Sequence, residues 1–202
     1  MSKLISAFLL ILIPWFNIKA QAGFGIKGGG NLASVNVDNS EAWLAYHVGG
    51  YWRVPIGSDM FVQPELLYSV KGSNLPDFFY SDDLEFRMNY LSLPVMLGIK
   101  AGDRWAFSLG PELSKLLSGR FNVGDTESQG SDGYSQFDFG LDAGVDFAIT
   151  PGLGVYLRYN YGLVDVLQVQ FTDENGQSLG GFNEGKNRCL QVGISWVISG
   201  AE

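Results

Sequence analysis

The sequence lacks most of the residues that build redox, metal and nucleic-acid sites. It has one cysteine, Cys189, and one histidine, His47, among 202 residues. A single cysteine cannot form an internal disulfide bond and leaves no cysteine cluster for zinc. Basic residues are also scarce, with 13 against 21 acidic residues and a net charge of −8. Because nucleic-acid binding requires a basic surface, we expect no nucleic-acid partner.

Long apolar runs are absent except at the amino terminus. Residues 4–16 are mostly apolar, and Ala20-Gln21-Ala22 offers small residues for cleavage. This pattern is typical of a secretory signal peptide, so we assign 1–22 to a signal peptide and 23–202 to the mature domain. An uncleaved anchor is the alternative, but the run is shorter than the ~20 residues that a spanning helix needs. Any later membrane crossing would therefore have to be made by strands.

The sequence is rich in glycine and in segments where apolar and polar residues strictly alternate. Glycine accounts for 27 of the 202 residues, about twice its usual share of ~7%. From 137 to 149 every odd position is apolar, while Asp138, Asp142 and Asp146 alternate with small residues on the even positions. A period of two indicates a β-strand with one apolar and one polar face. The apolar face suits lipid, and the polar face suits a narrow, packed interior.

Seven further segments share this period, and each is close to the ~9–11 residues that cross a bilayer at a tilt. The eight predicted strands are 24–35, 44–54, 60–71, 88–100, 105–117, 137–149, 153–164 and 188–198. Tight turns at 55–59, 101–104 and 150–152 alternate with long polar links at 36–43, 72–87, 119–136 and 165–187. This alternation is typical of bacterial outer-membrane barrels. We therefore predict an all-β fold, an eight-stranded antiparallel transmembrane β-barrel in the bacterial outer membrane, with short periplasmic turns and longer extracellular loops.

The prediction has one alternative, a soluble barrel, and one complication, prolines inside three predicted strands. A soluble barrel with its apolar face inside would also alternate. The glycine-rich polar face and the aromatic residues near strand ends of the apolar face favour the membrane instead. Pro64, Pro94 and Pro111 fall inside predicted strands, where each removes a ladder donor. They predict either bulges or strand boundaries that differ by a few residues.

Charged residues of both signs fall on the predicted inward face. Because buried charge is costly unless it is paired, we expect a salt-bridge network that plugs the lumen. An eight-stranded barrel leaves little more than side-chain room inside, although a narrow ion path is the alternative. The predicted network comprises Lys27, Arg53, Glu65, Lys71, Lys100, Glu112, Asp138, Asp142, Asp146 and Arg158.

No motif marks an enzyme or a cofactor site. His47 is the only ordinary general base, and it would need Ser69, Ser92 or Glu65 nearby to activate a nucleophile. Nothing marks such a nucleophile, so we expect no enzymatic activity. Gly23-x-Gly25-x-x-Gly28 matches the dinucleotide fingerprint, but it lies within a predicted strand rather than between a strand and a helix. We therefore expect no cofactor.

The long loops are acidic, but their carboxylates lack the spacing of a calcium loop, so we predict no metal site. Phe78, Phe79 and Tyr80 stand out because aromatic residues are unusual in a solvated loop. They predict a contact surface for a protein partner. The other expected partners are outer-membrane lipid and the barrel-insertion machinery.

Seven segments together resemble one family of outer-membrane barrels. They are GFGIKGGGNLASV, FVQPELLYSVKGS, NYLSLPVMLGIK, GPELSKLLSGR, DFGLDAGVDFAI, VYLRYNYGLVDV and NRCLQVGISWVI. In this order they resemble the successive strands of the PorT-type outer-membrane β-barrel family of Bacteroidetes-like bacteria. The resemblance implies an eight-stranded barrel of mostly unassigned role, with one branch that helps to assemble a protein-secretion machine. We expect a structural or interaction module that displays extracellular loops, with a link to protein secretion; a narrow ion or small-solute channel is the alternative.

Overall fold

A computed structural model provides the coordinates of the chain. It describes residues 22–37, 39–79, 82–123, 126–129, 134–172 and 178–199. The predicted signal peptide lies almost entirely outside these residues. No helix in the described part of the chain is long and apolar enough to cross a membrane.

Eight long strands close into one antiparallel barrel. The strands in chain order are β1 (Gly23–Val35), β2 (Glu41–Ile56), β3 (Met60–Phe79), β4 (Asp82–Ala101), β5 (Trp105–Val123), β6 (Thr126–Gln129), β7 (Phe137–Ala148), β8 (Leu153–Thr172) and β9 (Ser178–Ser199). Each barrel strand pairs with its neighbour in sequence, and β1 pairs with β9 to close the ring. The short β6 pairs only with the end of β5 and is not part of the barrel wall. The predicted eight-stranded antiparallel barrel is confirmed.

The polar face of each strand lies inside the barrel and the apolar face outside. On the outer surface, Leu109 and Trp196 are 61% and 62% exposed, which fits a wall that contacts lipid. Inside, the side chains of Lys71 and Asp142 are completely buried. This arrangement contradicts the alternative of a soluble barrel with an apolar interior.

Strand lengths differ from the prediction on one side of the barrel only. The tight turns after β2, β4 and β7 are short, as predicted. The links predicted at 72–87 and 165–187 are instead largely strand. The pairing of β3 with β4 reaches Phe79 and Asp82. The pairing of β8 with β9 reaches Thr172 and Ser178. Bilayer thickness and polarity set the predicted ends, whereas antiparallel pairing continues beyond the membrane wherever it satisfies the backbone. The extracellular side therefore carries paired hairpins rather than simple loops.

The three strand prolines are accommodated without a bulge, so neither predicted explanation is correct. Pro64 and Pro111 are exposed on the outer face of β3 and β5, whereas Pro94 is buried on the inward face of β4. The β3–β4 register is the same on both sides of Pro64, with Pro64 opposite Val95 and Leu67 opposite Ser92. A proline removes one donor but keeps an extended backbone, so the surrounding ladder holds the register. The register shifts lie elsewhere, mostly towards the extracellular ends.

Adjacent glycines of β1 provide a test of the packing of the wall. A Cβ atom at Gly29 would overlap the carbonyl oxygen of Val192 and the Cα of Gly193, whereas the nearest atoms to a Cβ at Gly30 are 3.8 and 3.9 Å away. We expect Gly29→Ala to lower the free energy of unfolding by about 1–3 kcal/mol, since backbone atoms must move. Gly30→Ala is the matched control and should be neutral or slightly stabilising. Urea unfolding of the detergent-folded barrel measures both; equal stability of the two variants would contradict the packing.

Candidate functional site

The interior is organised around one carboxylate, Glu65, on β3. Arg158 donates to both carboxylate oxygens of Glu65, at 2.9 Å to Oε2 and 2.7 Å to Oε1. Lys27 donates to Oε1 at 3.1 Å and Gln63 to the same atom at 2.6 Å. The side chains of Lys27, Glu65 and Arg158 are at most 3% exposed. A bidentate arginine–carboxylate pair supported by further hydrogen-bond donors offsets the free-energy cost of burying these charges.

A second cluster lies around Lys71, also on β3. The Lys71 ammonium donates to Glu112 at 2.8 Å and to the Asn160 side-chain oxygen at 3.2 Å, and it lies 3.7 Å from Asp138. Asn160 in turn donates to Asp142 at 2.6 Å. Together these contacts surround one cation with carboxylates from strands β5 and β7.

Arg158 links the two clusters into one group, called the lumen network below. Its Nη1 atom lies 3.6 Å from Asp142 of the second cluster while it bonds Glu65 of the first. Towards the periplasm, Arg53 lies 3.6 Å from Asp146 and donates to Gln63 at 2.6 Å. The structure thus brings nine of the ten predicted lumen charges together.

Lys100 is the exception, and its assignment to the network is corrected. It is exposed, and it is the last residue but one of β4, so it lies at the periplasmic rim beyond the buried part of the lumen. It lines a cavity of about 590 Å³ at this mouth, together with Arg53, Arg104, Tyr51 and Phe61. The periplasmic end of the barrel is therefore open as far as Arg53.

The sequence analysis missed the neutral residues that complete the network. Gln63 and Asn160 each bridge two charged groups, and Asn187 donates to Asp138 at 2.7 Å. All three are at most 3% exposed. The signal was available, because each follows the inward parity of its strand. The amides were not predicted because the cost of burying charge points to charged residues alone.

The hydrogen bonds of His47 in the described part of the chain go to neutral groups, although Ser69 lies directly opposite it on β3. Its Nδ1 atom lies 2.6 Å from the Asn31 side-chain oxygen, and its Nε2 atom bonds the Tyr156 hydroxyl. Of the serines considered as partners, Ser69 accepts from Asn31 and Ser92 bonds Ser114. Both imidazole nitrogens are therefore occupied by neutral groups.

The extracellular end of the lumen is apolar, which the sequence did not indicate. An outer apolar cluster of seven buried residues fills it: Val35, Met88, Tyr90, Leu116, Tyr134, Val166 and Leu167. Tyr134 comes from the segment before β7, forms a β-bridge with Leu167 and donates its hydroxyl to the Arg120 carbonyl at 3.1 Å. Burial raises the pKa of the Tyr134 hydroxyl, which therefore remains a donor. The cluster was not predicted because Tyr134, Val166 and Leu167 lie in the segments predicted to be long links, 119–136 and 165–187.

The remaining predicted sites can be placed only in part. Phe78 and Phe79 belong to the end of β3, but their side chains lie outside the described residues, as does the whole of Tyr80. Among the described residues, no group of three or more histidine, cysteine, aspartate or glutamate residues has a geometry that could hold a metal ion.

Breaking the centre of the network should be costly. We expect Glu65→Gln to lower the free energy of unfolding by about 3–5 kcal/mol, because Lys27 and Arg158 would remain buried without their counter-charge. Asp146→Asn is the matched control at the half-exposed rim, where losing the 3.6 Å contact with Arg53 should cost about 0–1 kcal/mol. Urea midpoints, followed by the mobility of unheated samples on SDS gels, compare the two. A similar loss for both variants would contradict the central role of Glu65.

A closed eight-stranded barrel with an apolar outer wall and a charged lumen defines an outer-membrane barrel protein. The family model described as "Outer membrane protein beta-barrel domain" matches residues 16–168. The chain belongs to this family, and its location is the bacterial outer membrane. No curated protein sequence matches the chain significantly.

Two solved barrels show the same fold. Neisserial surface protein A is 14% identical, with a TM-score of 0.55 over 87% of this chain and 97% of its own. Ail, the attachment invasion locus protein of Yersinia pestis, is 13% identical, with a TM-score of 0.53 over 89% of this chain and 99% of its own. At these identities the likeness establishes the architecture alone.

Proposed function

We propose that the protein is a non-enzymatic structural or interaction module that holds extracellular hairpins above the outer membrane. The observation that carries the proposal is the filled lumen. The lumen network occupies the middle of the barrel, and the outer apolar cluster occupies its extracellular end. A barrel whose interior is occupied in this way presents its outer surfaces to partners rather than a path through its centre.

The hairpins support this role because they are built as continuations of the wall. Strands β3 and β4 pair from Met60 opposite Ile99 to Leu75 opposite Leu84, and again at Phe79 opposite Asp82 after a register shift. A paired ribbon holds its tip in a defined place, which lowers the conformational cost of binding a partner. Phe78 and Phe79 belong to the end of β3 at this tip, and Tyr80 is the next residue in the sequence. A protein partner at this tip is part of the proposal.

Two parts of the proposal go beyond the barrel family. The resemblance of the strand segments to the PorT-type family supports a link to protein secretion. The environment of His47 supports the absence of enzymatic activity, since both of its nitrogens are engaged by Asn31 and Tyr156. A general base needs a free nitrogen directed at a substrate or a nucleophile.

A narrow channel is the second candidate function. The cavity of about 590 Å³ at the periplasmic mouth leads towards Arg53 and Asp146, which favours ion entry from that side. Its continuation would require water and ions to pass the seven residues of the outer apolar cluster, none of which carries a charge that could replace a hydration shell.

Conductance separates the two functions. We expect no stepwise conductance from the wild-type barrel in planar lipid bilayers. Tyr134→Gly removes a ring from the outer apolar cluster. We expect any conductance of this variant to exceed that of wild type and of Arg158→Gln. Arg158→Gln serves as a comparison inside the network. A stable wild-type conductance that changes in Arg158→Gln would replace the proposed function by the channel.

The hairpin tip can be removed without disturbing the wall. Asn74 lies directly opposite Glu85, so residues 75–84 can be replaced by Asn-Gly, a two-residue turn suited to hairpins. We expect this variant to fold and to reduce the amount of secreted protein, measured by quantitative mass spectrometry of culture supernatants. Replacing 173–177 of the β8–β9 hairpin in the same way compares the second tip. An unchanged secretome in both variants would refute the link to secretion.

A further inference from the structure

The cavity at the periplasmic mouth of the lumen has a basic side and an apolar side. Arg53, Lys100 and Arg104 provide its basic side. Its volume of about 590 Å³ is within the ~300–1,000 Å³ of small-molecule sites, which enclose an apolar body and fix it with a few polar groups. The apolar side is formed by β2, the β7–β8 turn and β9, through Pro55, Ile149, Pro151 and Val197.

The charges around this mouth leave a positive charge in excess. Lys100 and Arg104 are exposed, and neither forms an ion pair with a residue that the structure describes. Arg53 lies 3.6 Å from Asp146, and Asp103 is the other carboxylate at the mouth. Three cations therefore accompany two carboxylates, although the whole chain has a net charge of −8. Because a cleft with an excess of one sign attracts the opposite charge, one negative charge would neutralise the mouth.

Arg53 is held at the inner end of the cavity by packing as well as by charge. Its Nε atom donates to the Gln63 side-chain oxygen at 2.6 Å, and its guanidinium lies 4.3 Å from the centre of the Phe61 ring. The Phe61 ring in turn covers Gly98, where a Cβ atom would overlap the ring. The Arg53 side chain nevertheless remains 30% exposed. A cation that is already fixed in place loses little conformational freedom when an anion binds.

Backbone hydrogen bonds join the turns around the mouth. The Ala148 amide donates to the Arg104 carbonyl at 2.8 Å, which places the basic β4–β5 turn beside the apolar β7–β8 turn. The Lys100 amide donates to the Asp59 carbonyl of the β2–β3 turn at 2.6 Å. The basic and apolar sides of the cavity are therefore already assembled without a ligand, as is usual for small-molecule sites.

We propose that this cavity, the mouth site, binds a small amphiphilic monocarboxylate from the periplasm. Lys100 and Arg104 hold the carboxylate, and the apolar body lies against the apolar side of the cavity. A neutral amphiphile would gain nothing from the two cations, and an inorganic anion would gain nothing from the apolar side. The mouth site is independent of the proposed function, because it lies at the opposite end of the barrel from the hairpins.

The test uses the full-length mature barrel in phosphatidylcholine nanodiscs, with 4-phenylbutyrate as the probe and empty nanodiscs as the blank. The variant is Lys100→Gln/Arg104→Gln. Its matched control, Lys115→Gln/Arg120→Gln, makes the same change in charge at exposed positions of the extracellular half. Titration followed by ligand-observed NMR gives the dissociation constant for each protein. The shift in mobility between heated and unheated samples shows that each variant has folded.

We expect the mouth variant to bind 4-phenylbutyrate about tenfold more weakly than wild type, equivalent to ~1.4 kcal/mol, with the control within a factor of about two. Two further probes divide the ligand into its parts: 4-phenylbutyramide lacks the charge, and acetate lacks the apolar body. Each should bind wild type about tenfold more weakly than 4-phenylbutyrate.

Equal losses in both variants would overturn the proposal as a non-specific charge effect. Equally tight binding of the amide would show a purely apolar cavity, and equally tight binding of acetate or inorganic phosphate would show a free-anion site. Either result would overturn the proposal, and an unchanged affinity in the mouth variant would refute it outright.

Discussion

The cost of burying charge in a narrow, water-poor space governs this structure. Glu65 could not remain ionised in the centre of the barrel without the two bonds from Arg158 and the ammonium of Lys27. Those partners come from β8 and β1, so the requirement fixes which strands face each other across the lumen. The neutral amides that bridge the charges follow from the same need, because a buried polar atom without a hydrogen-bond partner is costly.

The two ends of the lumen satisfy this constraint differently. Towards the periplasm the lumen opens into the cavity at the mouth, and Arg53 and Asp146 are partly exposed there. Towards the outside the interior becomes an apolar core, with Tyr134 bonded to a backbone carbonyl. The proposed role depends on this asymmetry, since an interior that opens towards the periplasm and is packed at its other end leaves the extracellular surface to act by contact.

Alternation along each strand was sufficient to predict the barrel, the strand number and the inward direction of Glu65 or Asp142, because a membrane wall imposes the period of two without exception. The same signal failed where that constraint ends. Beyond the bilayer, nothing in polarity distinguishes a paired ribbon from a loop, so the upper halves of β3 and β8 were missed. The cluster around Tyr134 was missed because Tyr134, Val166 and Leu167 lie in segments that were predicted as loops. Lys100 was misplaced because alternation shows which face of the strand carries a residue but not how far along the barrel axis that residue lies.

The cross-lumen contacts also determine how the barrel can assemble. Lys27 and Glu65 are separated by 38 positions in the chain, and Glu65 and Arg158 by 93. Hairpins such as β3–β4 can form early from neighbouring segments, but their lumenal charges find counter-charges only when distant strands arrive. Partly assembled intermediates would therefore hold unpaired charge beside lipid, and ring closure between β1 and β9 removes that penalty in a single step. Partly assembled intermediates should therefore be unstable, and we expect assembly of the barrel to be close to all-or-none.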